Sequence, residues 1–97
     1  MQRQSSHLTE SPLEELHNYF ELEVLAALKA RDLRLDPDTF VDVLALALNE
    51  LPARYIRHRV DLIYFTAPAE LAALKQRIEQ AIDHALQRLQ KARPGNA

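Results

Sequence analysis

From Leu13 onward the apolar residues of this chain recur at three- and four-residue intervals, as Leu13, Leu16, Phe20, Val24 and Leu28. That spacing lays one stripe along a helix. The segment "SPLEE" marks a start in three ways: Ser11 is a capping residue, Pro12 suits the first helical position, and Glu14 is placed to reach back to the cap. The pattern predicts a helix from residue 11 or 12 to about Lys29 or Arg31. A polar connection follows, "ARDLRLDPDTF", in which only Leu33 and Leu35 are placed to tuck under neighbouring elements.

Asp36-Pro37 repeats the cap-then-proline start. The second helix then carries Phe40, Val41, Val43, Leu44, Leu46, Ala47, Leu48 and Leu51, and Pro52 stops it by disfavouring helical geometry in the residue before it. A helix this apolar is expected to be buried on most sides, centrally or in a subunit interface. Its one polar line is Asp38, Asp42, Ala45 and Asn49, which is either the solvent side or the wall of a groove. From Tyr55 to Phe65 the period changes. Ile56, Val60, Leu62 and Tyr64 share one parity among β-branched and aromatic neighbours, which predicts a strand. No second strand is evident in the chain, so the pairing partner is expected from a second subunit, with an extended loop as the alternative.

A last helix opens near Thr66-Ala67-Pro68 and runs to about Lys91, with the seam Leu71, Leu74, Ile78, Ile82, Ala85 and Leu89. At 1.5 Å per residue it would be roughly 36 Å long, against a radius of gyration of about 13 Å for a compact domain of this size. It should therefore project from one subunit's core and favour association with a second copy. The expected fold class is mostly α: a small domain of three main helices plus a short extended or β segment at about 55–65, completed by homodimerisation. Residues 1–10 read as a flexible tail, 11–93 as one domain and 94–97 as a C-terminal tail.

Composition narrows the function more than the fold. The chain has 97 residues, 47% hydrophobic and 27% charged, an ordinary balance for one soluble domain. A net charge of −2 gives no general attraction to nucleic acid or an anionic membrane, so any anion site must be local. There is no cysteine, which excludes disulfides and thiolate metal sites. The polar N-terminus lacks the apolar run of a signal peptide, and no run is long enough to span a bilayer. A cytoplasmic location without membrane insertion is expected.

The chemistry concentrates in "LPARYIRHR". Arg54, Arg57, His58 and Arg59 cluster in a slightly acidic chain. Strand alternation would set Arg57 and Arg59 on one face beside Tyr55. Arginine forks match phosphate oxygens and the O6/N7 edge of guanine, and a neighbouring ring can stack a base. A solvated charge cluster is the plain alternative. Asp42 is suited to accept from a base edge or to pair with an arginine. Asn49 is suited to a base edge or to holding the turn. His7, His17, His58 and His84 are scattered, a single glycine forbids a phosphate loop, and no Ser–His–Asp order appears, so no catalysis is expected.

At "DVLALALNELPARY" the chain resembles the ComFB (late competence development) family. The residues that carry the likeness are Asp42, Val43, Ala45, Leu46, Ala47, Leu48, Asn49, Leu51, Pro52, Arg54 and Tyr55, with Asn18, Glu21 and Val24 upstream. Many members place cysteines just before the Asp-Val; here the stretch is "DPDTFV", so no zinc is expected. Members are similar to one another in being small, mostly helical dimers, and some are receptors for cyclic dinucleotides. The resemblance implies a non-catalytic homodimer that binds cyclic di-GMP or cyclic di-AMP, needs no cofactor, and passes the signal to a downstream protein. The expected ligand-binding residues are Asp42, Asn49, Arg54, Tyr55, Arg57 and Arg59. An adaptor without a small ligand, linked to competence, DNA uptake or surface appendages, is the alternative, and direct nucleic-acid binding is disfavoured.

Overall fold

The computed structural model describes residues 11–92; the two tails expected at 1–10 and 94–97 lie outside the described residues. Among those residues the order is a 3-10 turn Pro12–Glu15, strand β1 His17–Asn18, helix α1 Tyr19–Ala30, helix α2 Pro37–Glu50, strand β2 Tyr55–Ile56, helix α3 Arg59–Phe65 and helix α4 Pro68–Ala92. The molecule is mostly helical, as expected. Two of the four helices begin where the proline signals place them, at Pro37 and Pro68. Asp36 caps α2, its side chain accepting from the Thr39 backbone N–H at 2.7 Å.

The first helix starts later than "SPLEE" predicts. Ser11 does cap, accepting from the Leu13 N–H at 3.2 Å, but it caps only the 3-10 turn. Leu16 then turns extended and α1 begins at Tyr19 with Asn18 as its cap. Leu13 is consequently 72% exposed and Leu16 is also outside the core, whereas Phe20, Val24 and Leu28 of the same stripe are buried. At the other end of α1, Asp32 takes φ of 51°, a left-handed position usually given to glycine, as the chain leaves the helix.

The segment 55–65 departs further from expectation. Only Tyr55–Ile56 is strand, and its antiparallel partner is His17–Asn18 of the same chain, with His17 opposite Ile56 and Asn18 opposite Tyr55. A two-residue partner has no length over which alternation can register in the sequence. Beyond it, a lone strand over 59–65 would leave its backbone groups unpaired; a helix satisfies them locally, and that requirement outweighs β-branched propensity.

Val43 and Ala47 on α2, with Leu51 just past its end, form one core with Leu74, Ile78, Ala81, Ile82 and Ala85 of α4 and with Phe20, Val24 and Leu28 of α1. α2 lies against α4, and α1 packs on both. The α4 seam expected to meet a second copy is thus filled within the chain. The α2 line Asp38, Asp42, Ala45 and Asn49 is exposed, and burial of α2 is one-sided. Arg31, at the end of α1, straps α4: its guanidinium donates to the Glu79 carboxylate at 2.8 Å and the Glu79 carbonyl at 3.1 Å, and pairs with Asp83 at 2.7 Å. The hydrogen bond to Glu79 is the largest influence holding the Arg31 pKa above its ordinary value, with Asp83 adding to it and burial opposing.

Candidate functional site

The β1–β2 pairing carries the turn after Pro52 up against the start of α1. Asn18 ties the two together. Its side-chain oxygen accepts from the Phe20 N–H at 3.3 Å, capping α1, and from the Arg54 N–H at 3.0 Å, while the Tyr19 N–H donates to the Arg54 carbonyl at 2.7 Å. Arg54 is therefore held by its backbone on both sides, through its N–H and its carbonyl.

An open hollow of about 420 Å³ lies between this turn and α3, bordered by Arg54, Tyr55, Arg57, Asp61 and Phe65 among others. Tyr55 is 68% exposed and Phe65 81% exposed, the Phe65 ring packing edge-on with Tyr64 at a centroid distance of 5.0 Å. Three of the six residues expected to bind ligand, Arg54, Tyr55 and Arg57, are brought together here. Arg59 is not. The chain bends after Ile56 and turns helical at Arg59, so the strand alternation that would put Arg57 and Arg59 on one face never develops. Arg59 instead donates through Nε to Glu23 of α1 at 2.7 Å and borders a second groove of about 550 Å³ with Tyr19, Ile63 and Lys75. Asp42 and Asn49 sit exposed on α2; neither borders the hollow, and neither side chain has an ion pair or hydrogen bond among the described residues.

Each arginine of the cluster has a carboxylate partner from another element. Arg57 pairs with Glu15 at 2.6 Å, Arg54 with Glu70 at 3.5 Å, and Arg59 with Glu23. The first two pairs are largely in solvent, where such contacts contribute about 0–1 kcal/mol. Asp61, in the same hollow, is different: its carboxylate has no ion pair or hydrogen bond among the described residues. Beside the cluster, burial pushes the Tyr19 phenol above its ordinary pKa of 10.0; Glu23 pushes the same way, and Arg59 and Arg54 oppose it.

Asp61 and Phe65 are absent from any strand-based reading of the site. Their signal was the four-residue separation, which places them on one face of a helix once 59–65 is helical. Among the described residues no group of three His, Cys, Asp or Glu side chains is arranged to hold a metal ion. No helix among them is long and apolar enough to cross a membrane. The family model for late competence development protein ComFB matches residues 17–93. Neither the curated proteins nor the solved structures gave a match to the chain.

Proposed function

The chain belongs to the late competence development (ComFB) family, and from that premise we propose that it is a non-catalytic receptor for a cyclic dinucleotide, working as a homodimer and passing the signal to a downstream protein. The observation that carries this is the hollow itself: two guanidinium groups, Arg54 and Arg57, beside two exposed rings, Tyr55 and Phe65. Guanidinium forks serve phosphate oxygens and aromatic faces serve bases, and a cyclic dinucleotide presents both within one small ligand. The ion pairs these arginines now make are partly open to solvent and contribute little, so exchanging a carboxylate for a phosphate costs little.

Dimerisation follows from symmetry. A cyclic dinucleotide has two equivalent halves, and one chain offers one such hollow; a two-fold pair of chains offers two. Val60, Ile63, Tyr64 and Phe65 leave α3 with an exposed apolar flank continuous with the hollow, and a second copy covering that flank would bring the two hollows close.

Calorimetric titration with cyclic di-GMP and cyclic di-AMP tests the proposal. Saturable binding of at least one nucleotide is expected, with Arg54→Ala and Arg57→Ala each weakening it about tenfold, one charge-assisted hydrogen bond's worth. Titrations without heat and melting curves unmoved by either nucleotide would refute it. A second reading, an adaptor in competence, DNA uptake or surface appendages, draws on the apolar flank of α3 and on the carboxylate partners the arginines already have. It predicts capture of a protein partner that is indifferent to nucleotide and weakened by salt.

A further inference from the structure

We infer that Asp61 is the residue by which the hollow selects guanine over adenine. This rests on the receptor proposal and deepens it.

Charge is unevenly paired around the start of α3. Arg54, Arg57, His58 and Arg59 surround the start of α3, yet Asp61, in its first turn, takes none of them as a partner. The three arginines reach instead to Glu70, Glu15 and Glu23 on other elements. Asp61 is left at the hollow as an acceptor-only group with both carboxylate oxygens uncommitted. Phe65, one turn along the same face of α3, borders the same space, and Tyr55 stands on the β2 side.

A ligand with separate anionic and aromatic parts is oriented by this arrangement. Its phosphate is drawn to Arg54 and Arg57 and repelled by Asp61, so the base is directed toward Asp61 with the two rings available to its faces. The edge of guanine offers two adjacent donors, N1–H and the N2 amino group, which match the two oxygens of a carboxylate. Adenine offers its N6 amino group beside N1, an acceptor, which would face a carboxylate oxygen with no proton between them. A polar site rejects a ligand lacking the matching donor more strongly than an apolar pocket rejects a missing methylene. Discrimination by one two-point contact of this kind is about ten- to hundredfold.

The test is calorimetry of the full chain with cyclic di-GMP and cyclic di-AMP, on the wild type, Asp61→Asn and Arg57→Ala, with a melting curve of each protein alone to establish folding. The wild type is expected to bind cyclic di-GMP at least tenfold more tightly. Asp61→Asn replaces one acceptor by a donor, and the ratio should collapse or invert, since an amide matches adenine's donor–acceptor pair. Arg57→Ala should weaken both nucleotides and leave their ratio in place. Equal wild-type affinities, or a preference that Asp61→Asn leaves intact, would overturn the assignment of Asp61 while the receptor proposal stands. Absence of binding by either nucleotide would overturn both.

Discussion

Removing the side chain of Asn18 should loosen the fold and the site together. The substitution Asn18→Ala deletes one oxygen that accepts two backbone bonds, from Phe20 at 3.3 Å and from Arg54 at 3.0 Å. Loss of an N-cap costs about 1 kcal/mol, and loss of a second half-buried bond to a backbone N–H about 1 kcal/mol more. The sum, about 2 kcal/mol, is a large share of the roughly 5–15 kcal/mol available to a domain of this size, and corresponds to a fall in Tm of about 8–16 °C.

Two further variants separate the two bonds. Asn18→Asp keeps an acceptor of the same reach and should recover most of the loss. Asn18→Ser keeps a capping oxygen on a shorter side chain, so it should hold the Phe20 bond, release the Arg54 bond, and fall about halfway. Urea unfolding followed by far-UV circular dichroism reads all three against the wild type. A cost below about 0.5 kcal/mol for Asn18→Ala, or equal destabilisation of the serine and alanine variants, would mean that the tie between α1 and the turn after Pro52 contributes nothing of its own.

Two other perturbations probe the packing around this tie. Arg31→Ala, which removes the strap from α1 to Glu79 and Asp83, should destabilise by about 1–2 kcal/mol in urea unfolding. Arg31→Lys should recover less than half of that, because a single ammonium cannot span both carboxylates and the Glu79 carbonyl; full rescue by lysine would refute the forked geometry. Tyr19→Phe should be close to neutral below pH 10, where the phenol is protonated both folded and unfolded. Because the folded-state pKa is raised, the unfolded chain releases its proton first, and wild-type stability should fall relative to Tyr19→Phe above about pH 10, by up to about 1.4 kcal/mol per pH unit. A difference between the two proteins that stays flat through that window would refute the burial argument.

How much of this was legible in the sequence differs from element to element. The start of α2 and the start of α4 follow from Asp36-Pro37 and Pro68, because proline with a cap residue constrains the backbone locally. The start of α1 misled because two capping patterns precede it: Ser11 with Glu14, and Asn18 with Glu21. Both are chemically sound, but only the second opens onto a face that the core buries. The 59–65 helix was hidden by an alternation of β-branched residues whose partner strand is two residues long. At the site, the cluster of Arg54, Tyr55 and Arg57 was visible because those residues are adjacent in the chain. Asp61 and Phe65 became visible only with the helical register. Asp42 and Asn49 do share a line on α2, as helical spacing requires, but within the chain that line faces solvent. Periodicity places residues on a face and leaves open what the face meets.

The arginine cluster divides once its partners are weighed. Arg57 and Arg54 lean on carboxylates that are themselves partly in water, with the Arg57 side chain 62% exposed. Exchanging such a partner for a phosphate gives up about 0–1 kcal/mol and gains a charge-assisted bond of about 1.5–3 kcal/mol. Arg59 stands elsewhere on that scale. Its partner Glu23 is the least exposed of the three carboxylates and lies beside the buried Tyr19, whose phenol already feels the carboxylate. Pulling Arg59 away would strand that carboxylate against the core and release α3 from α1. Two of the three arginines are thus exchangeable and the third is a brace, so under the receptor proposal an anion would be held between Arg54 and Arg57. That is also the end of the cluster whose backbone Asn18 holds in place.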